Sequence, residues 1–187
     1  MRVFGIDPGS ERTGYGCVET DGSRQRIITC GAVSTRAADS FSGKLFEIHR
    51  RLSDLLAECR PDSVAIENIF YATNVRSALK LGHARGVAML AAAQAGLTVV
   101  EYTPAEIKRA VVGYGRAEKP QVQQMVKLLL GLAVVPSPHD AADALAVAIC
   151  HVHSHLPARS MVAQPIPPGR RTLTTATTWR RYRPARP

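Results

Sequence analysis

Three stretches near the start of the chain carry strand patterning: Arg2–Asp7, Gly14–Glu19 and Arg26–Ser34. The turns between them, Asp7-Pro8-Gly9-Ser10 and Asp21-Gly22-Ser23, are rich in residues that reverse a chain. From Phe41 to Cys59 the apolar residues Leu45, Ile48, Leu52, Leu55 and Leu56 recur at helical spacing, and Pro61 closes that helix. Ser63–Ile66 reads as a buried strand. A loop around Asn68–Asn74 leads into a long helix over about Val75–Ala95, closed by Gly96. Thr98–Tyr102 supplies a fifth strand, and Pro104 suits the first turn of the next helix. Gly113-Tyr114-Gly115 interrupts the pattern, after which helices follow at about Lys119–Leu130 and His139–His153. Three adjacent strands, then two strands each entered from a helix, predict an α/β fold: a five-stranded mixed sheet with helices on both faces.

At 187 residues the chain fits one domain with a proper core. Residues 157–187 hold six of the twelve prolines and no apolar period, so the expected division is a folded domain over 1–156 and a flexible basic tail over 157–187. No apolar run reaches the roughly 18 to 20 residues of a membrane span. The N-terminus enters a strand pattern at once, without the apolar stretch of a signal peptide. The cysteines Cys17, Cys30, Cys59 and Cys150 form no CxxC pair, which argues against structural zinc and fits reduced thiols in a cytoplasm.

The net charge of +9 is unevenly spread, for the tail carries seven arginines and no acid. Within the body, Arg76 to Lys127 holds eight basic residues (Arg76, Lys80, Arg85, Lys108, Arg109, Arg116, Lys119, Lys127) against three acids. That excess either supplies phosphate contacts to nucleic acid or is a solvated helical face.

Four acids change the picture. Asp7 ends the first strand, where it either caps its own turn or serves chemistry. Glu67 follows the apolar run Val64-Ala65-Ile66, where an unpaired buried charge is strongly disfavoured. Asp140 and Asp143 stand three apart, which puts both on one helix face. If the first and fourth strands are neighbours and the last helix crosses their ends, the four carboxylates converge and repel one another. Divalent cations cancel that repulsion. Oxygen ligands favour magnesium, with manganese as a substitute, over zinc, and two such ions support in-line attack on a phosphodiester.

The chain resembles the RuvC family of Holliday junction resolvases, which have a ribonuclease H-like fold. The matching segments are Gly5-Ile6-Asp7-Pro8-Gly9-Ser10 with Thr13-Gly14-Tyr15-Gly16, then Ala65-Ile66-Glu67-Asn68-Ile69-Phe70, then Ala78-Leu79-Lys80-Leu81-Gly82 with Ala84-Arg85-Gly86. Glu106-Ile107-Lys108 with Val111-Val112-Gly113, Ala117-Glu118-Lys119, and Asp140-Ala141-Ala142-Asp143-Ala144-Leu145-Ala146 follow in order, so the likeness spans roughly residues 2–153.

The resemblance implies a structure-selective endonuclease acting on four-way junction DNA, with Asp7, Glu67, Asp140 and Asp143 holding two Mg²⁺ ions. It assigns Lys108 and Lys119 to phosphates near the scissile bond, and Phe70 to stacking on a base near the junction centre. Arg76, Lys80 and Arg116 fit as more general DNA contacts or as surface residues. Some relatives carry histidine where Asp140 stands, so His139 is either an added ligand or a helix-start residue. The family pairs as a homodimer through the helix corresponding to about Val75–Ala95, which is rich in small residues here, and acts with the RuvA–RuvB branch-migration complex.

Three other readings fit less well. The Phe70 loop and the Lys108/Lys119 pair argue against an RNA-processing relative that shares the first turn. An actin-like ATPase needs two duplicated lobes. A non-catalytic DNA-binding protein would be weakened by four carboxylates.

Overall fold

A computed structural model describes residues 1–36, 39–68 and 74–155. The five strands are β1 (Arg2–Asp7), β2 (Arg12–Thr20), β3 (Gln25–Ser34), β4 (Ser63–Glu67) and β5 (Thr98–Tyr102). The helices are α1 (Phe41–Cys59), α2 (Val75–Gln94), α3 (Pro104–Val112), α4 (Lys119–Leu129) and α5 (His139–His155). Strand β2 begins two residues before its alternation is clear, because Arg12 and Thr13 pair with Ser34 and Val33. The last helix runs two residues past its expected end.

The sheet order is β3-β2-β1-β4-β5, with β1–β2 and β2–β3 antiparallel and β1–β4 and β4–β5 parallel. This is the expected mixed sheet with helices on both faces. Strand alternation sorts the core. Phe4, Ile6, Val64 and Ile66 pack with α1 and α2, whereas Val3 and Ala65 pack with α3, α4 and α5.

Helix α5 is the most deeply buried; Ala144 to Val152 are all buried, so its apolar run reflects enclosure on nearly all sides. Glycines in the sheet make that enclosure close. A Cβ on Gly5 would overlap the Ala144 carbonyl oxygen, and one on Gly14 would overlap the Asp140 carbonyl oxygen. The helix backbone therefore lies directly on β1 and β2. At the far end of α5, the buried His151 bonds the hydroxyls of Ser63 (2.9 Å) and Tyr102 (3.0 Å), tying α5 to β4 and β5. Burial lowers its pKa to about 4, which keeps the ring neutral.

Local signals set the helix starts. Ser40 accepts from the Gly43 amide, Asn74 accepts from the Arg76 and Ser77 amides, and Thr103 forms a capping box with Glu106. Gly113, at φ 92°, ends α3 in the left-handed conformation that favours glycine. Among the described residues no helix is long and apolar enough to cross a membrane. All four cysteines are free thiols.

Candidate active site

The parallel register of β1 and β4 pairs Ile6 with Ile66, so the next residues, Asp7 and Glu67, stand side by side at the strand ends. Both follow Gly5 and Ala65 in parity and face α5 rather than α1 and α2. Helix α5 crosses that same end and brings Asp143 to it. Strand β5 pairs Tyr102 with Glu67 and passes through Thr103 into α3, which carries Lys108. The first residue of α4 is Lys119. These elements enclose a cavity of about 340 Å³ lined by Asp7, Glu67, Lys108, Lys119 and Asp143, with Pro104, Ile107 and Val122 among its apolar walls.

The electrostatics follow from this crowding. Burial, reinforced by the charges of Glu67 and Asp143, pushes the Asp7 carboxyl up to about 8. Burial and Asp143 also raise Glu67, against the opposing pull of Asp7, Lys119 and Lys108. Lys119 Nζ lies 2.5 Å from Asp143 Oδ2. Burial works against the Lys119 charge, but Asp143, Asp7 and Asp140 outweigh it and raise its pKa.

Asp140 is placed differently from the other three acids. It lies in the first turn of α5 beside Gly14, is half-buried, and takes an ion pair from Arg12 at 3.4 Å instead of lining the cavity. His139 is exposed, and its Nδ1 lies 3.0 Å from the Gln123 amide nitrogen. Arg76 and Lys80 are exposed on the first turns of α2, away from the cavity lining, with Lys80 Nζ 6.0 Å from the Phe41 ring centroid. Arg116 is exposed between α3 and α4. Phe70, with Tyr71, lies outside the described residues, as does the 157–187 tail. Sequence patterning gave no sign of Arg12: it is a single basic residue in a turn, and only the fold brings it to Asp140.

The donor chemistry of the cavity fits hard divalent cations. Its three carboxylates are crowded and two have raised pKa values, a state that positive charge relieves, and neither cysteine nor histidine lines it. Among the described residues no three His, Cys, Asp or Glu side chains are drawn together as a finished ligand cage. Asp7, Glu67 and Asp143 are grouped around a shared space into which Lys119 also projects.

The small residues of α2 divide between two faces. Ala84, Ala88, Ala91 and Ala92 are buried within the chain, whereas Gly82 and Gly86 face open space. Ala78, Leu79, Gly82, Gly86 and Leu90 border a groove with Leu45, and Leu79 and Leu90 are 60% and 51% exposed.

Known proteins resemble this chain in both sequence and fold. The family model for crossover junction endodeoxyribonuclease RuvC matches residues 3–151. A protein of that description from Koribacter versatilis is 57% identical over 155 residues, 82% of this chain and 93% of its own. Another, from Pelobacter propionicus, is 50% identical over 184 residues, 98% of this chain and 100% of its own. The solved structure of Thermus thermophilus RuvC in complex with a Holliday junction substrate superposes with a TM-score of 0.79 at 37% identity, covering 82% of this chain and 94% of that one. The yeast mitochondrial resolvase Ydc2, only 14% identical, shares the fold at a TM-score of 0.58. With a family match across most of its length and relatives above half identity, this chain belongs to the RuvC family of crossover junction endodeoxyribonucleases.

Proposed function

We propose that this chain resolves four-way DNA junctions by metal-dependent phosphodiester hydrolysis at the cavity formed by Asp7, Glu67, Asp143, Lys108 and Lys119. The observation that carries this reading is the register-matched pair Asp7 and Glu67, closed by Asp143 and faced by two lysines. Asp7, Glu67, Asp143 and the adjacent Asp140 are the residues that would hold two Mg²⁺ ions, with Mn²⁺ as a substitute. Bound there, such ions supply activation of water and stabilisation of the leaving 3′ oxygen, leaving 5′-phosphate and 3′-hydroxyl ends.

The chain's own side chains do the rest. Lys108 and Lys119 offer compact positive charge to the phosphate, where fixed cations favour the developing charge of in-line displacement. Lys119 has two roles: its ammonium offsets the Asp143 charge, and it would offer that charge to a phosphate were Asp143 to hold a metal ion. Phe70 stacks on an unpaired base, and Arg76, Lys80 and Arg116 hold flanking phosphates.

Two copies pair through the exposed apolar groove of α2. Gly82 and Gly86 meet nothing within their own chain, which supports close approach by a second helix. A two-fold dimer offers two sites to the two like strands of a junction. The catalytic domain is residues 1–156. The tail 157–187 adds shape-blind attraction to DNA through its seven arginines. By the same family likeness the dimer works with the RuvA–RuvB branch-migration complex in a cytoplasm. The test is cleavage of a synthetic four-way junction with and without Mg²⁺, against linear duplex and single strand. Cutting that ignores either the metal or the junction contradicts the reading.

A further inference from the structure

Arg12 is the first residue of β2, and its side chain is 54% exposed although the backbone on either side is fixed. Thr13 bonds the Gly9 carbonyl through its hydroxyl (2.7 Å), and the Thr35 hydroxyl bonds the Ser10 carbonyl (3.1 Å). The Thr35 amide donates to the Glu11 carbonyl at 3.1 Å. The Glu11 side chain is gripped by Lys44 of α1, whose Nζ lies 2.6 and 2.7 Å from its two oxygens. That lysine is buried, with 9% of its side chain exposed, so the turn after Asp7 is anchored to α1 by a sheltered cation. A rigid turn thus presents a solvent-facing guanidinium at the rim of the acidic site.

Its partner there is Asp140, at 3.4 Å. An exposed pair of that length is weakly held and easily exchanged. Lys119 and Asp143, one turn further along the same face of α5, likewise pair a partly exposed cation with an acid. We propose that Arg12 is a DNA-phosphate contact that Asp140 retains in metal-free protein and releases when a divalent cation takes that carboxylate. Arg12 would then bind DNA only once the site is loaded, so that metal occupancy and substrate grip rise together. This inference rests on the reading of Asp140 as a metal ligand. It adds a DNA contact whose availability the metal controls.

The experiment measures junction binding over a series of monovalent salt concentrations, once in EDTA and once at a fixed level of Ca²⁺, a hard cation that seeks oxygen ligands. In Ca²⁺, Arg12→Ala is expected to lower the slope of log K against log salt by about 0.9, the loss of one phosphate contact on duplex arms. In EDTA its slope is expected to match wild type. Asp140→Asn in EDTA should steepen the slope, and the double variant should return to the wild-type value. Arg12→Lys should keep the wild-type slope in Ca²⁺.

Equal slopes for wild type and Arg12→Ala in Ca²⁺ overturn the contact. An equal loss in both conditions overturns the exchange. A lowered melting temperature with unchanged slopes makes the pair structural and overturns both. Failure of the wild type to cut junctions would remove the functional reading instead, while the slopes stay measurable on linear duplex.

Discussion

Lys119 Nζ and Asp143 Oδ2 lie 2.5 Å apart at the cavity where β1, β4, α4 and α5 meet. Lys108 lines the same space without an ion-pair partner among the described residues. In the proposed function both lysines meet a phosphate, Lys108 directly and Lys119 after leaving its acid. Lys108→Ala and Lys119→Ala are each expected to slow single-turnover cleavage by about 10²- to 10³-fold, the usual loss for one transition-state donor. Junction affinity should change far less. Measuring rate at saturating enzyme alongside the binding constant separates the two; a loss confined to affinity would make either lysine an ordinary phosphate contact.

The raised Asp7 carboxyl makes stability depend on pH in a definite direction. Its folded pKa of about 8 stands above the ordinary 3.8, so the folded, metal-free protein binds this proton more tightly than the unfolded chain does. The stability that proton gives is complete below about pH 4 and is lost as the pH rises towards 8. Asp7→Asn removes the effect. In EDTA the melting temperature of wild type relative to Asp7→Asn should fall steadily across that window, then level off. Mg²⁺ should raise the wild-type melting temperature more than the variant's, because a ligand that binds only the folded state stabilises it. A difference between the two proteins that stays constant from pH 4 to 8 would mean that Asp7 is not buried beside Glu67 and Asp143 as described.

Much of this arrangement was legible in the sequence because strand alternation and helical spacing are strong signals here. The bounds of α1 and β5 follow directly from them, and the chain order of strands and helices implied the mixed sheet. Glu67 is conspicuous because it ends an apolar strand, where a carboxylate needs a reason, whereas Asp7 by itself also suits a turn cap and gains weight only from its place beside Glu67. The unequal surroundings of Asp140 and Asp143 were not legible: helical spacing puts them on one face but does not say that Arg12 stands beside the first and Lys119 beside the second. The anchoring of Glu11 by Lys44 was hidden for the same reason, since 33 residues separate the two. The abundance of small residues in α2 suits either close approach by a second helix or an internal packing face, and packing divides them between the core and open surface.

Close contact between α5 and the sheet predicts what single methyl groups will do. Gly14→Ala would force its Cβ into the Asp140 carbonyl, and Gly5→Ala into that of Ala144. Backbone cannot move aside as a flexible side chain can, so each change should cost at least about 1–3 kcal/mol, the usual range for overpacking. Chemical denaturation measures it. Gly82→Ala, whose Cβ meets nothing in the chain, is the control and should keep monomer stability or raise it by up to about 1 kcal/mol, because alanine suits a helix interior better than glycine. Wild-type stability in Gly14→Ala would mean that α5 does not rest on β2 as described.

The most direct test of the central claim joins the acids to the substrate. Asp7→Asn, Glu67→Gln and Asp143→Asn are each compared with wild type on a synthetic four-way junction in Mg²⁺, with linear duplex as control, and both binding and cutting are followed. Wild type is expected to make paired incisions in the junction, with ends that ligase can seal, and to spare the duplex. Each variant should bind the junction nearly as well as wild type yet fail to cut it. Substantial cleavage by any one of the three variants, or wild-type cutting of duplex as readily as of the junction, would contradict that claim.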